Sequence, residues 1–240
     1  MLATAVAHAH VGPSKDDNNR YLKLTPQADR VRLAYTIFFG DVPGARTRSS
    51  MDTDGDGEIS EAEAQAFGDR LGDQVRAAID VDVDKHQRSL VWEQIVVGMG
   101  SPKTHAGAFS VDLVANLCLG PGTTHAVILR DRFTLPNPGE TEVKLEDAHG
   151  IKIHNTSRLG GSPDRDVKFV GPGGPLADEG VSIAFEVTDQ AAPASGACTV
   201  PEPPVRDEQP ARLPAALVIG VAAVLAFLVA VVITLVRRNR

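Results

Sequence analysis

Apolar and polar residues alternate without a break from Arg30 to Phe39. Val31, Leu33, Tyr35, Ile37 and Phe39 fall on one side, and Arg30, Arg32, Ala34 and Thr36 on the other. A period of two over this length predicts a strand with one buried face. Residues 21–25 repeat the pattern, and Pro26-Gln27-Ala28-Asp29 lies between the two runs, so together they predict a hairpin. Similar short runs predict strands at 78–84, 90–97, 109–119, 125–132, 142–146, 151–154, 166–170 and 181–187. Turn signals such as Leu119-Gly120-Pro121-Gly122 and Gly171-Pro172-Gly173-Gly174 punctuate them. Many short alternating strands between turns predict a mainly β domain, an antiparallel Ig-like sandwich spanning residues 10–189.

Two stretches depart from this alternation. Residues 213–236 read LPAALVIGVAAVLAFLVAVVITLV, with no charge. As a helix this run is roughly 36 Å long, enough to cross a hydrocarbon core of about 30 Å. A helix apolar all round does not suit the core of a small soluble domain. Arg237, Arg238 and Arg240 follow at once, whereas the upstream flank carries both signs of charge. The excess of arginine predicts a single-pass transmembrane helix with a cytoplasmic tail at 237–240 and the bulk of the chain outside. The proline-rich stretch 190–212 reads as the linker. At the other end, Ala5-Val6-Ala7 and Ala7-His8-Ala9 each offer a small-x-small cleavage site. Residues 1–9 are therefore expected to be the remnant of a signal peptide. The expected location is the cell membrane, with an extracytoplasmic domain.

The second departure is at residues 44–72. Here the alternation gives way to Asp52-Thr53-Asp54-Gly55-Asp56-Gly57-Glu58-Ile59-Ser60-Glu61-Ala62-Glu63. This run has the spacing of an EF-hand loop, whose ligands come from positions 1, 3, 5, 7, 9 and 12 around an obligatory glycine at position 6. Asp52, Asp54 and Asp56 supply carboxylates, Glu58 a backbone carbonyl, Ser60 a water-mediated contact, and Glu63 a bidentate carboxylate. Gly57 makes the sharp turn, and Ile59 is expected to pack inward. Clustered carboxylates repel one another until a divalent cation joins them, and a shell of 6–8 oxygens suits calcium better than magnesium. Ser60 and Glu63 also form a capping signature for a following helix of about three turns. Phe67 and Leu71 lie on one face of that helix, with Gly72 as its stop. The next acidic run, Asp80-Val81-Asp82-Val83-Asp84, has Lys85 where the loop needs glycine and Val91 where it needs glutamate, so it reads as the outer face of a strand. The EF-hand is therefore expected to stand alone, as a structural staple rather than a switch.

The net charge is −7 although the last four residues carry three arginines. So acidic a domain argues against nucleic-acid binding, which needs a basic footprint. Two cysteines, Cys118 and Cys198, leave two readings open, a disulfide that pins the linker back onto the domain or two free thiols. His8 and His10 sit beside the expected mature N-terminus, where an amine and nearby imidazoles can bind copper or nickel. The bland reading of the same residues is a cleavage-site remnant. His105, His125, His149 and His154 show no ligand spacing, and Trp92 is expected in the core. No Gly-x-Ser-x-Gly, phosphate-binding loop or His-Glu-x-x-His is present, so an enzyme is not expected.

The segments Asp29-Arg30-Val31-Arg32-Leu33-Ala34-Tyr35-Thr36, Asp41-Val42-Pro43, Met51-Asp52-Thr53-Asp54-Gly55-Asp56-Gly57 with Glu63, Phe109-Ser110-Val111-Asp112-Leu113-Val114 and Leu129-Arg130-Asp131-Arg132-Phe133 set up one further comparison. Over residues 20–190 the chain resembles the extracytoplasmic domain of bacterial nickel/cobalt permease-like (HupE/UreJ-like) membrane proteins. The resemblance implies a calcium-bearing sandwich domain facing outside. One predicted transmembrane helix stands where that family has a multi-helix permease.

The expected function is thus a calcium-binding, membrane-anchored binding or scaffold protein, with calcium as cofactor and a second membrane protein as partner. The alternative is an accessory for nickel, cobalt or copper uptake or sensing that acts with a separate permease.

Overall fold

The alternation at residues 30–39 becomes strand β2 (Arg30–Phe39), whose inward residues Val31, Leu33, Tyr35 and Ile37 are all fully buried. The computed structural model describes residues 16–157, 166–171 and 174–199. Strand β1 (Asn18–Pro26) pairs with β2 as a hairpin, closed where Gln27 N donates to Arg30 O at 2.8 Å. On the other flank of β2 lies β6 (Phe109–Cys118), paired over ten residues from Arg30↔Cys118 to Phe39↔Phe109. With β5 (Gln94–Gly98), β8 (Pro138–Leu145) and β10 (Asp166–Val170) these make a six-stranded sheet in the order β10-β8-β1-β2-β6-β5. A five-stranded sheet runs β4-β3-β7-β11-β9, from β3 (Ile79–Val83), β4 (His86–Arg88), β7 (Thr124–Asp131), β9 (Ile151–Ser157) and β11 (Val181–Val187). Inward side chains of both sheets share one core. Leu22, Leu33, Leu113 and Val143 come from the first, and Val81, Leu129, Ile183 and Phe185 from the second. The protein is mainly β, with two sheets.

The sheets are not wholly antiparallel, which corrects the sequence expectation. Strand β8 pairs with β1 in parallel, from Asn18↔Pro138 to Leu24↔Leu145. The cause lies in the crossover from β7. Asn18 holds it by donating from N to Asn137 O at 2.9 Å and from Nδ2 to Pro136 O at 2.6 Å. Arg20 Nη1 donates to Phe133 O at 2.9 Å. The crossover is thus fastened to the start of β1, so β8 sets out from the same end and runs the same way. Alternation within a strand carries no information about such a pairing.

Between β2 and β3 the chain forms α1 (Asp41–Met51) and α2 (Glu61–Ala78). Pro43 is tolerated because it lies in the first turn of α1, where no intrahelical N–H is needed. Helix α2 is 18 residues long and passes through Gly72 instead of stopping there. Gly68 and Gly72 serve a close approach. A Cβ on Gly68 would meet Val97 Cγ2 at 2.8 Å, and one on Gly72 would meet Ile95 Cδ1 at 2.9 Å. The half-buried Trp92 also donates from Nε1 to Gly72 O at 2.8 Å. In the second turn of α2, Phe67 meets Phe39 and Phe109 edge-on, with centroids 6.0 Å apart in both cases, while Phe39 and Phe109 stack at 4.5 Å. This trio ties α2 to the end of β2 and the start of β6.

At the opposite end of the same two strands, Cys118 is bonded to Cys198. Arg30 Nη2 donates to Gly196 O at 2.6 Å beside it. Of the two readings of the cysteines, the disulfide is the one formed, and it pins the residues after β11 to the six-stranded sheet. A short helix α3 (Gly174–Asp178) buries Leu176. Among the described residues no helix is long and apolar enough to cross a membrane. The predicted transmembrane segment 213–236, the tail 237–240, the remnant 1–9 and His8 and His10 lie outside the described residues.

Candidate metal centre

The loop between α1 and α2 is shaped by its own carboxylates. Asp52 accepts from Gly55 N at 2.7 Å and from Gly57 N at 3.0 Å, one bond to each oxygen. Asp54 accepts from Asp56 N at 3.2 Å, and Asp56 from Glu58 N at 2.8 Å. These short-range bonds wind the chain back on itself and require left-handed backbone at Gly55 (φ 77°) and Gly57 (φ 83°). No atom lies near either position where a Cβ would stand. The demand for glycine is therefore one of backbone conformation and not of space.

Helix α2 begins with a reciprocal cap. Ser60 Oγ accepts from Glu63 N at 3.3 Å, and Glu63 Oε2 accepts from Ser60 N at 3.0 Å and from Ser60 Oγ at 2.9 Å. The other oxygen, Oε1, accepts from Thr53 N at 2.6 Å and Thr53 Oγ1 at 2.7 Å. The amides of Ser60 and Thr53, then their hydroxyls, lower the pKa of Glu63 to about 2. Glu63 is thus held as a carboxylate and swung back to the start of the loop. Asp52, Asp54 and Glu63 each offer an oxygen within 4.8 Å of the others. Among the described residues this is the one group of three or more acidic, histidine or cysteine side chains close enough to share a metal ion.

Of the six residues expected in the site, three converge in this way. Asp56 faces Glu58 N, and Ser60 serves as the cap. The side chain of Glu58 turns outward to an ion pair with Lys103 Nζ, leaving only its main chain toward the loop. Ile59 is buried, 5% exposed, and anchors the loop in the core.

No protein-family model and no curated protein matches this chain. The geometry must therefore be read on its own terms, and three features of it were not legible in the local sequence. Thr53 contributes two of the four donors on Glu63. Lys103 and Thr104 reach the loop across more than forty residues of chain. Arg48 of α1 is 1% exposed and gives its guanidinium to main-chain carbonyls of residues 99–108.

The remaining polar residues singled out in the sequence lie elsewhere. Asp80 and Asp82 point outward from β3 toward Arg132 and Arg130 of the neighbouring chain segment. Asp84 accepts from Ala126 N at 2.8 Å and faces His125 Nδ1 at 2.8 Å. His125 is buried and its Nε2 lies 3.1 Å from Gly122 O. His149 lies 3.1 Å from Gln190 O, and His154 lies 3.3 Å from Glu186. Each of these three histidines is engaged separately.

Proposed function

We propose that this chain is a membrane-anchored, extracytoplasmic binding or scaffold domain in which one calcium ion, bound in a single EF-hand, locks a helix–loop–helix onto an Ig-like β-sandwich. The observation that carries the reading is the return of Glu63 to Asp52 and Asp54. Residues eleven apart in sequence offer oxygens to one point, on the loop whose glycine turn the motif demands. The donors are hard oxygens with no histidine or cysteine, the chemistry calcium prefers. Asp52, Asp54, Asp56 and Glu63 would supply carboxylates, Glu58 its carbonyl, and Ser60 a water. The ion would join α1 to α2 and so fix the helices on the aromatic trio. Its role is structural.

The bond between Cys118 and Cys198 supports an oxidising compartment, consistent with residues 213–236 as an anchor that leaves the domain outside. The resemblance to the outer domain of nickel/cobalt permease-like proteins is in keeping with this placement, and the partner we infer is another membrane protein.

The test is a thermal melt of the full chain in detergent, first with chelator and then with calcium, magnesium, nickel or copper. A ligand that binds only the folded state stabilises it by about 2.7 kcal/mol at a hundred times its Kd. Calcium is expected to raise the midpoint, and magnesium much less. A midpoint indifferent to calcium but raised by nickel or copper would replace this reading with the transition-metal accessory.

A further inference from the structure

An EF-hand loop that stands alone lacks the neighbouring loop against which such loops normally pair, yet this one is not unpaired. Glu58 and Lys103 form an isolated antiparallel bridge. Ile59 N donates to Pro102 O at 2.7 Å, and Thr104 N donates to Gly57 O at 3.2 Å. Thr104 Oγ1 donates to the same carbonyl, also at 3.2 Å. The bonds are made by the residues on either side of Glu58, so the main chain of Glu58 itself faces the other way, into the loop. Its N–H already does so, on Asp56. In extended backbone the carbonyl of a residue points to the same side as its N–H. The bridge therefore aims at the loop interior the one carbonyl that the calcium shell needs.

The bridging segment is itself held from behind. Arg48 Nε donates to Gly107 O at 2.9 Å, Nη1 to Ser101 O at 2.6 Å and to Lys103 O at 3.4 Å, and Nη2 to Ala108 O at 3.2 Å and to Met99 O. The guanidinium also lies 5.3 Å from the centroid of the Phe109 ring. Five carbonyls converge on one planar cation, which a lysine with three donors on a single atom cannot reproduce. Arg48 belongs to the helix that precedes the loop, so the contacts close a circuit from α1 through residues 99–108 to the loop.

We propose that residues 102–104, clamped by Arg48, are a built-in substitute for the missing second loop, and that Arg48 and Thr104 are positioning residues that set calcium affinity without touching the ion. The inference rests on the calcium reading above. Lys103 has the opposite effect. Its main chain supports the loop, while its side-chain cation opposes the incoming ion.

The experiment combines calcium titration calorimetry with amide hydrogen exchange, on the full chain and on three variants. In the wild type, calcium is expected to slow exchange of the Ile59 and Thr104 amides together with that of Gly57. Thr104→Val, which keeps the shape and loses one donor, should weaken calcium binding about three- to tenfold and reduce the added protection at Thr104 and Ile59. Arg48→Lys should weaken it further. Lys103→Met should tighten it, by about twofold or more, since the bridge is main chain and the opposing charge is gone. Calcium binding by the wild type with unchanged affinity in Thr104→Val and Arg48→Lys would overturn the clamp and leave the calcium reading intact. A wild type that binds no calcium would overturn both.

Discussion

Asp131 and Glu63 are both carboxylates gripped by several donors, in two regions governed by opposite rules. Asp131 ends β7 in the interior and is fully buried. It accepts from Arg20 Nη1 at 2.8 Å, from the hydroxyl of Tyr35 at 2.8 Å and from Phe133 N at 2.8 Å. Burial pushes its pKa up, and the Arg20 guanidinium opposes that rise. Burial, followed by the charge of Asp131, drives the Tyr35 hydroxyl well above its ordinary value, so it stays a donor. Glu63 lies at the surface with four donors, none of them charged. They set its direction and hold it ionised, but they bring no positive charge to the three carboxylates that meet there. In the interior the chain pairs its own charges. At the loop it builds a shape and leaves the charge open. Incomplete charge held in a fixed geometry, not the mere presence of acidic groups, is what supports the proposed calcium site.

The largest effect expected is on the interior cluster. Asp131→Ala leaves Arg20 buried without its counter-charge, which should cost about 3–5 kcal/mol of stability. Because the charges of this cluster are paired without the loop, the loss should be the same with chelator as with calcium when measured by denaturant unfolding. A loss confined to the calcium-loaded protein would mean that the two regions are one system.

A smaller effect is expected at the loop. Glu63→Gln removes the charge and the bidentate closure, and should weaken calcium binding at least about tenfold, roughly 1.4 kcal/mol. Asp84→Asn is its counterpart. It should lower stability, because Asp84 organises the turn after β3, and leave calcium affinity where it was. Calorimetry that gave both variants the same affinity would remove the loop as the site.

The smallest effect concerns acid. The folded pKa of Glu63 lies below its ordinary value of 4.5, at about 2. Its hydrogen bonds therefore favour the folded state fully above pH 4.5, and that help fades as the pH falls toward 2. In chelator, the difference in melting midpoint between wild type and Glu63→Gln should shrink across this window. A difference that stayed constant with pH would show that the cap does not hold the ionised form.

Strands were legible in the sequence because each sheet buries one face, and a buried face writes itself as a period of two. Val31 to Phe39 is the plainest case, and 166–170 and 181–187 follow it. The shape of the loop was legible because its spaced aspartates, its glycine and its capping serine all lie within twelve residues. What escaped depends on contacts distant in the chain. The parallel setting of β8 comes from Asn18 and Arg20 holding the crossover more than a hundred residues away. The passage of α2 through Gly72, which looks like a stop when read locally, comes with Ile95 and Trp92 packing against that glycine. Arg48 resembled any surface arginine, because its five acceptors are main-chain carbonyls and carbonyls leave no trace in side-chain pattern. The cysteines stood between, since their spacing alone admits either a bond or two thiols.

The bond between Cys118 and Cys198 also decides how this molecule meets force. A pull on the chain from residue 199 onward is delivered by a covalent link to the end of β6, between β2 and the edge strand β5 of the six-stranded sheet, and not to the last strand. Strand β6 runs along β2 for ten residues, and force along its axis loads those hydrogen bonds together, in shear. Strands β7 to β11 lie inside the closed covalent loop and carry none of that load. They cannot be peeled away one by one, and the tether draws on the longest strand pairing among the described residues.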